Sequence, residues 1–481
     1  MNRTPSDRPV PTAERHAAML EEARRASALA PDSVEARFHE VECLQIAGDT
    51  RLALECLQRI EADHAQGALF LLRAGETYAR YNRPDDYLRC CRRAFELAPH
   101  DAEIRSGLAG ALFAIGDPAG AEELLTGLTK ERPQDGTAWV NLSRLRRWTA
   151  DDNHVAAIEG AVGSMTERRG KAAACYALYK EYDDLGQPDK AMSWLRAGAK
   201  TLRGSYSYRV EFDESALAAI AANYTAERLR DAPAAGPGRG AIFVAGLPRS
   251  GTTLVDRILS AHPEVESLGE PRDLAFAALR GEAMITPGRS WSDAGQLPDF
   301  AAIGQWYLDA VATYRTGRPY FVDKATMNSL QCGLMRLALP ESRIVLLRRH
   351  PLDSCLALYS TYFHEHLPFA HDLHELGRYY VAWHRLMEHW RQAIPGQLLV
   401  MPYESLVTDP EPQIRRLLEH CGLDWDPRCL DFHSHASAVT TLSAGQVRQP
   451  MYTSSVGRWK KYARDLQPLI WVLQDAGIPV D

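Results

Sequence analysis

The feature that most constrains this chain is a turn that returns at a fixed interval. Gly48 stands in IAGD, Asn82 in YNRP, Gly116 in AIGD and Ala150 in WTAD, each 34 residues after the last, and Gly186 in LGQP follows after 36. Pro31, Pro99 and Pro133 keep the same frame, separated by 68 and 34 residues. A small residue, Ala53, Ala121 or Ala191, lies five positions beyond three of the turns. Such a period describes stacked helical hairpins. Gly or Asn permits a left-handed backbone between the two helices. Ala lets them approach closely, and Pro closes the unit because it cannot continue a helix. Stacked hairpins bury a shared core, so about five units are expected over residues 15–203, after a disordered segment 1–14, with the second unit degenerate at Ala65.

Near residue 204 the pattern stops. ESALAAIAANYTAERLRD reads as one more helix, and APAAGPGRG (232–240) as a Pro/Gly linker, so 204–240 is a connector and 241–481 a second domain. There the period changes. Short apolar runs, AIFVA (241–245), PYFV (319–322), IVLL (344–347) and QLLVM (397–401), alternate with helical stretches, the pattern of parallel strands with crossover helices. The fold class is therefore α plus α/β: a helical solenoid followed by a phosphate-loop-like domain with a parallel sheet. Each run leads at once into a polar segment: GLPRSGTT, DKATMN, RRHPLDS and PYESL. Ligands of open α/β sheets bind at the carboxyl ends of the strands, so these segments predict one anion-binding crevice.

The sharpest segment is Gly246-Leu-Pro-Arg-Ser-Gly-Thr-Thr253. It has the GxxxxGK[ST] spacing between a strand and a helix, where successive N–H groups and the helix N-terminus face one anion. Thr252 replaces the lysine that reaches β- and γ-phosphates, and Arg249 sits inside the loop. A shorter anion suits this loop better than a nucleoside triphosphate with Mg²⁺. Composition narrows the partners. Lys and Arg number 55 against 62 Asp and Glu, a net charge of −7, which speaks against a general nucleic-acid or membrane-surface binder. No apolar run approaches the ~18 residues of a membrane span, and the N-terminus lacks the apolar core of a secretory signal. Nine scattered cysteines without a CxxC read as reduced thiols of a cytoplasmic protein.

A 34-residue period is the tetratricopeptide signature. PRSGTTL after a strand, then AHPE and GE, resembles 3′-phosphoadenosine-5′-phosphosulfate (PAPS)-dependent sulfotransferases. Within them the chain is similar to bacterial proteins that join tetratricopeptide repeats to a sulfotransferase domain, and to tyrosylprotein sulfotransferases. The resemblance runs through YTAERL, DK, RRHPLD, YESL, SAGQVRQP and SSVGRWKKY. It implies that Arg249, Ser250, Gly251, Thr252 and Thr253 hold the 5′-phosphosulfate, and that no metal is needed. Arg349 matches the arginine on the 3′-phosphate, but eight residues later stands Ala357 where the family has serine; Ser354 is the candidate substitute. Ser455, Gly457, Arg458, Trp459 and Lys460 match the loop that closes over the nucleotide, and Tyr403 a tyrosine near the adenine.

The resemblance also implies the catalysts. Glu270, in SLGEPR, matches the base of tyrosylprotein sulfotransferases, and Arg272 their arginine two positions on. Burial is expected to raise the basicity of Glu270, and Arg272 to lower it. Lys324 matches the lysine that stabilises the leaving oxygen, with Asp323 as a partner to set its position. Ser443 matches a serine near the reaction centre, although Ala444 replaces the serine that follows it. His364, His366, His371 and His374 lack the spacing of a zinc site and are expected in an acceptor-side loop, where a histidine is an alternative base. The acceptor is a hydroxyl of a peptide or protein, a tyrosine by resemblance, or of a sugar, lipid or small natural product. The repeats would dock it or a second subunit, and a homodimer stays open. The alternative is a repeat scaffold with a nucleotide-binding but inactive second half.

Overall fold

The structure, a computed structural model, describes residues 13–285, 291, 297–363, 366–434, 447 and 449–481. A leading helix, Ala13–Leu29, is followed by paired helices: Val34–Ile46 with Thr50–Asp63, Ala68–Arg80 with Pro84–Leu97, Ala102–Ile115 with Pro118–Glu131, Gly136–Ser143 with Val155–Val162, and Arg168–Asp184 with Pro188–Arg203. Four of the turns hold the positive φ that the period implied, at Gly48 (80°), Asn82 (52°), Gly116 (96°) and Gly186 (69°). The turn at Ala150 differs: it sits in a longer connection closed by backbone hydrogen bonds between Thr149 and Asp152. Ala53, Ala121 and Ala191 are all fully buried.

The second half is built on five parallel strands: β1 (Ala241–Gly246), β2 (Val265–Ser267), β3 (Tyr320–Asp323), β4 (Arg343–Arg348) and β5 (Leu398–Pro402), in the order β2-β3-β1-β4-β5. Every residue of β1 is buried, as expected of a central strand covered by helices on both faces. The four apolar runs of the sequence form β1, β3, β4 and β5. β2 has only three residues, VES, and carries too little apolar pattern to be read in advance.

Residues 232–240 do not form a free linker. Arg336 donates to the carbonyls of Ala232 and Pro233, and the Gly236 N–H donates to Glu341 at 2.9 Å. The connector helix Val210–Asn223 packs along the long helix Leu373–Ala393, and Arg378 of that helix binds Glu214 through both ends of its guanidinium. One continuous cluster of buried apolar side chains runs from Leu71 in the repeats to Val480. The solenoid and the sheet thus share a core.

Candidate functional site

The phosphate-type loop follows from β1. Arg249 lies at φ 68° and Gly251 at 105°, so the chain curls before the helix Thr252–Ser260 begins. Gly251 is required twice. Its φ favours glycine, and a Cβ there would stand 2.6 Å from the Tyr403 ring. Tyr403, just past β5, therefore packs directly on the loop, and the Arg349 guanidinium lies over its ring, 4.9 Å from the centroid. Ser250, Thr252 and Thr253 are buried, and the Ser250 hydroxyl has no hydrogen-bond partner. Burial first, and then the charges of Arg349 and Arg458, push the Arg249 pKa down to about 10, Tyr452 and Tyr403 acting in the opposite sense. The group stays cationic at neutral pH.

Arg349, after β4, donates to the carbonyl of Arg249 at 3.2 Å and to that of Ser455 at 2.5 Å, while its Nε is buried without a partner. It therefore ties the loop to the C-terminal segment. Ser354 does not take the place of the hydroxyl absent at Ala357: it is buried and donates to the Arg349 carbonyl at 3.3 Å. Ala357 itself lines the cavity described below.

The C-terminal segment is held by two carboxylates. Asp353, in RRHPLD, accepts the N–H groups of Gly457 at 2.7 Å and Trp459 at 2.9 Å, and Trp459 stacks on His350. Asp183 of the last repeat accepts from Arg458, Lys461 and Tyr462 together. Arg458 thus reaches into the solenoid as well as toward the loop. Lys460 is exposed and outside the cavity lining, which Lys461 joins instead.

On the other side of the loop, β2 and β3 deliver Glu270 and Lys324. The Lys324 N–H donates to the Gly269 carbonyl at 2.9 Å, and its ammonium is paired with the Glu270 carboxylate. The pair is asymmetric: the Lys324 side chain is 1% exposed, that of Glu270 51%. The expected burial of Glu270 is not found. Asp323 is not the partner of Lys324 either. Its carboxyl accepts from Tyr307 Oη at 3.0 Å, Asn328 Nδ2 at 2.9 Å and the Ala325 N–H at 3.2 Å, and burial raises its pKa to about 7. Arg272 is exposed, its guanidinium over the Phe276 ring. The repeats close on this edge too: Asn82, the turn residue of the second hairpin, donates to the Ser267 carbonyl at 2.9 Å and fills the space against Gly269.

Ser443 and His364 lie outside the described residues. His371 is not in an acceptor loop: it is buried against Tyr206 of the connector, and burial pushes its pKa down to about 4. Among the described residues, no group of three or more His, Cys, Asp or Glu is placed to hold a metal ion, and no helix is long and apolar enough to cross a membrane. All nine cysteines are buried free thiols. A cavity of about 1040 Å³ lies between the solenoid and the sheet, lined on one wall by Arg249, Gly251, Thr253, Arg349, Tyr403 and Arg458, and on the other by Arg144, Tyr176 and Lys180 of the repeats. The sequence contained Asp353 within a motif already singled out; Asp183, Arg144 and Tyr176 gave no signal there, because only the packing of the solenoid brings them to the site.

A family model described as the sulfotransferase family matches residues 241–427, and one described as a tetratricopeptide repeat matches residues 82–145. The match to the sulfotransferase family thus falls on the parallel-sheet half, and the match to the tetratricopeptide repeat on the helical half. The chain is 30% identical over 396 residues to an uncharacterized protein of Aquifex aeolicus (strain VF5), covering 80% of this chain and 52% of that one, so it spans about half that relative's length. It is 25% identical over 235 residues to protein-tyrosine sulfotransferase 2 of Gallus gallus, covering 45% of this chain and 62% of the relative. Among solved structures, the sulfotransferase domain of the Synechococcus PCC 7002 olefin synthase aligns at 17% identity and a TM-score of 0.35, over 52% of this chain and 98% of that one.

Proposed function

We propose that this protein transfers a sulfuryl group from PAPS to a hydroxyl acceptor, and that the acceptor is a tyrosine of a peptide or protein. The observation that carries the reading is the pairing of Glu270 with Lys324 beside the phosphate-type loop. The loop suits the donor. Ser250 Oγ and Arg349 Nε are buried donors without partners, and Gly251 keeps the backbone open between them and Tyr403. The residues from Arg249 to Thr253 would hold the 5′-phosphosulfate, Arg349 the 3′-phosphate, and Tyr403 would meet the adenine. Ser455, Gly457, Arg458 and Trp459 would close over the nucleotide, with Lys460 left in solvent.

When bound, the donor supplies an activated sulfuryl group on a phosphate leaving group; the rest falls to the chain. Glu270, open to solvent, accepts the proton of the acceptor hydroxyl, a general-base task. Protonation neutralises its carboxylate and frees the Lys324 ammonium to compensate charge on the leaving oxygen, as a compact cation can. By resemblance, Arg272 and Ser443 would also serve the reaction centre. The family name of the chicken relative supports tyrosine as acceptor; a sugar, lipid or small natural product remains the alternative. No metal takes part in this reading. A second reading, a repeat scaffold with an inactive domain, is favoured by one observation, the methyl of Ala357 facing the cavity.

Calorimetric titration with 3′-phosphoadenosine 5′-phosphate, with Mg²⁺–ATP and adenosine 5′-phosphate as controls, tests the donor. Preferential binding of the first, followed by labelled transfer from PAPS to tyrosine peptides, is the expected result. Binding without transfer would favour the scaffold; absence of binding would remove the donor reading.

A further inference from the structure

The cavity has a wall that the sulfotransferase domain does not supply. Arg144 follows the helix Gly136–Ser143 of the fourth repeat, and its side chain lines the cavity with Arg249, Arg349 and Ala357. Its guanidinium donates to the Tyr362 carbonyl at 3.3 Å. A guanidinium has five donors, so most of this one is left for other use. Four other cations of the lining are already matched: Arg146 by Glu122 and Asp152, Lys180 by Asp184, and Arg458 and Lys461 by Asp183. Among the described residues, Arg144 and Arg349 are half-buried cations of the cavity with no carboxylate salt bridge; Arg147, which also lines it without one, is exposed. Beside Arg144 stands Tyr176, 2% exposed, whose hydroxyl has no hydrogen-bond partner. The two converge on Tyr362: the Arg144 guanidinium lies 6.0 Å from that ring and the Tyr176 ring 5.5 Å from it. Tyr362 closely follows Ala357 in the turn after the helix Pro351–Tyr359, where Thr361 Oγ1 donates to the Ala357 carbonyl at 2.8 Å.

We infer that the repeat solenoid completes the nucleotide site, with Arg144 and the Tyr176 hydroxyl donating to the nucleotide's 3′-phosphate from the side where Ala357 offers no hydroxyl. This rests on the reading of the second half as a PAPS-dependent domain. The loop amides serve the 5′ group, so the uncompensated charge of Arg144 across the cavity is directed at the second phosphate. Burial and the neighbouring charge of Arg249 hold the Arg144 pKa down to about 10; the group is still a cation at neutral pH, and one that an anion would relieve. The two halves of the chain then meet at the donor, and the solenoid is part of the site as well as a surface for partners.

The test is calorimetric titration of the full-length protein with 3′-phosphoadenosine 5′-phosphate and with adenosine 5′-phosphate, which lacks the second phosphate. Arg144→Gln should weaken the first by about ten- to hundredfold, the range for a lost hydrogen bond to a charged group, and leave the second within about twofold. Arg144→Lys should recover part of the loss, and Tyr176→Phe should show a smaller loss of the same selectivity. Melting temperatures without nucleotide check that each variant folds; if Arg144→Gln does not, the other two variants carry the comparison. Unchanged affinity for the bisphosphate in the folded variants, or equal losses for both nucleotides, would overturn the inference. Failure of the unmodified protein to bind either nucleotide would overturn the functional reading beneath it, a separate outcome.

Discussion

At the scale of single residues, three neighbouring side chains at the strand ends occupy different environments. Lys324 is buried and pairs with the half-exposed Glu270, while Asp323 turns away into a hydrogen-bonded pocket. Lys324→Ala should lower turnover by about 10²–10³-fold, the scale of losing one transition-state donor, and leave affinity for 3′-phosphoadenosine 5′-phosphate within about threefold. Steady-state kinetics and calorimetry on the same preparation check this, and unchanged turnover would remove Lys324 from the mechanism. Asp323 gives a pH signature. Its carboxyl binds a proton more tightly folded, near pH 7, than unfolded, near ~4. Its ionisation therefore costs folding stability progressively as pH rises from about 4 through about 7. Asp323→Asn removes that cost but also changes an acceptor, so the informative quantity is the pH dependence. The stability of the variant relative to the parent should rise between pH 5 and pH 8 in denaturant titrations; a constant difference would refute it.

At the scale of elements, the C-terminal segment 457–462 keeps its place through ties to other parts of the chain. Asp353 accepts two of its backbone N–H groups, and Asp183 draws three of its side chains onto the solenoid. Asp183→Ala should leave those donors without their acceptor. Limited proteolysis should then cut near residues 455–465 sooner than in the parent, and affinity for 3′-phosphoadenosine 5′-phosphate should fall by about tenfold, since a hydrogen bond to a charged group contributes ~1.5–3 kcal/mol. Unaltered cleavage would mean that Asp353 alone holds the segment. Much of the element inventory was legible beforehand. The hairpin turns announced themselves through Gly48, Asn82, Gly116 and Gly186, and four strands through runs of apolar residues. β2 was not legible, because three residues cannot display a period, and yet its end positions Glu270. Nor could local pattern show that Asn82, readable as a turn, also packs on Gly269.

For the whole molecule, the shared core matters most. Buried apolar residues are continuous from the repeats into the sheet, the connector is docked through Arg378 and Arg336, and Thr50 of the solenoid donates to the buried Asp273 at 2.8 Å. Separating the halves would expose that apolar surface to water. The full chain should unfold in a single calorimetric transition, and residues 204–481 expressed alone should aggregate or bind a hydrophobic dye. Two well-separated transitions would show that the halves are independent.

The sequence by itself determined the repeat, the parallel sheet and the loop, because each rests on contacts between residues close in the chain or on a period that one helix or strand imposes. It also marked Glu270, Lys324 and Arg349 through local motifs. Only the tertiary structure decided their partners: Lys324 with Glu270 rather than Asp323, Arg458 with Asp183, and Arg144 with the cavity wall. Those pairings join side chains far apart in the chain, and electrostatic and packing interactions act through space, with no trace in the order of residues until the solenoid has closed onto the sheet.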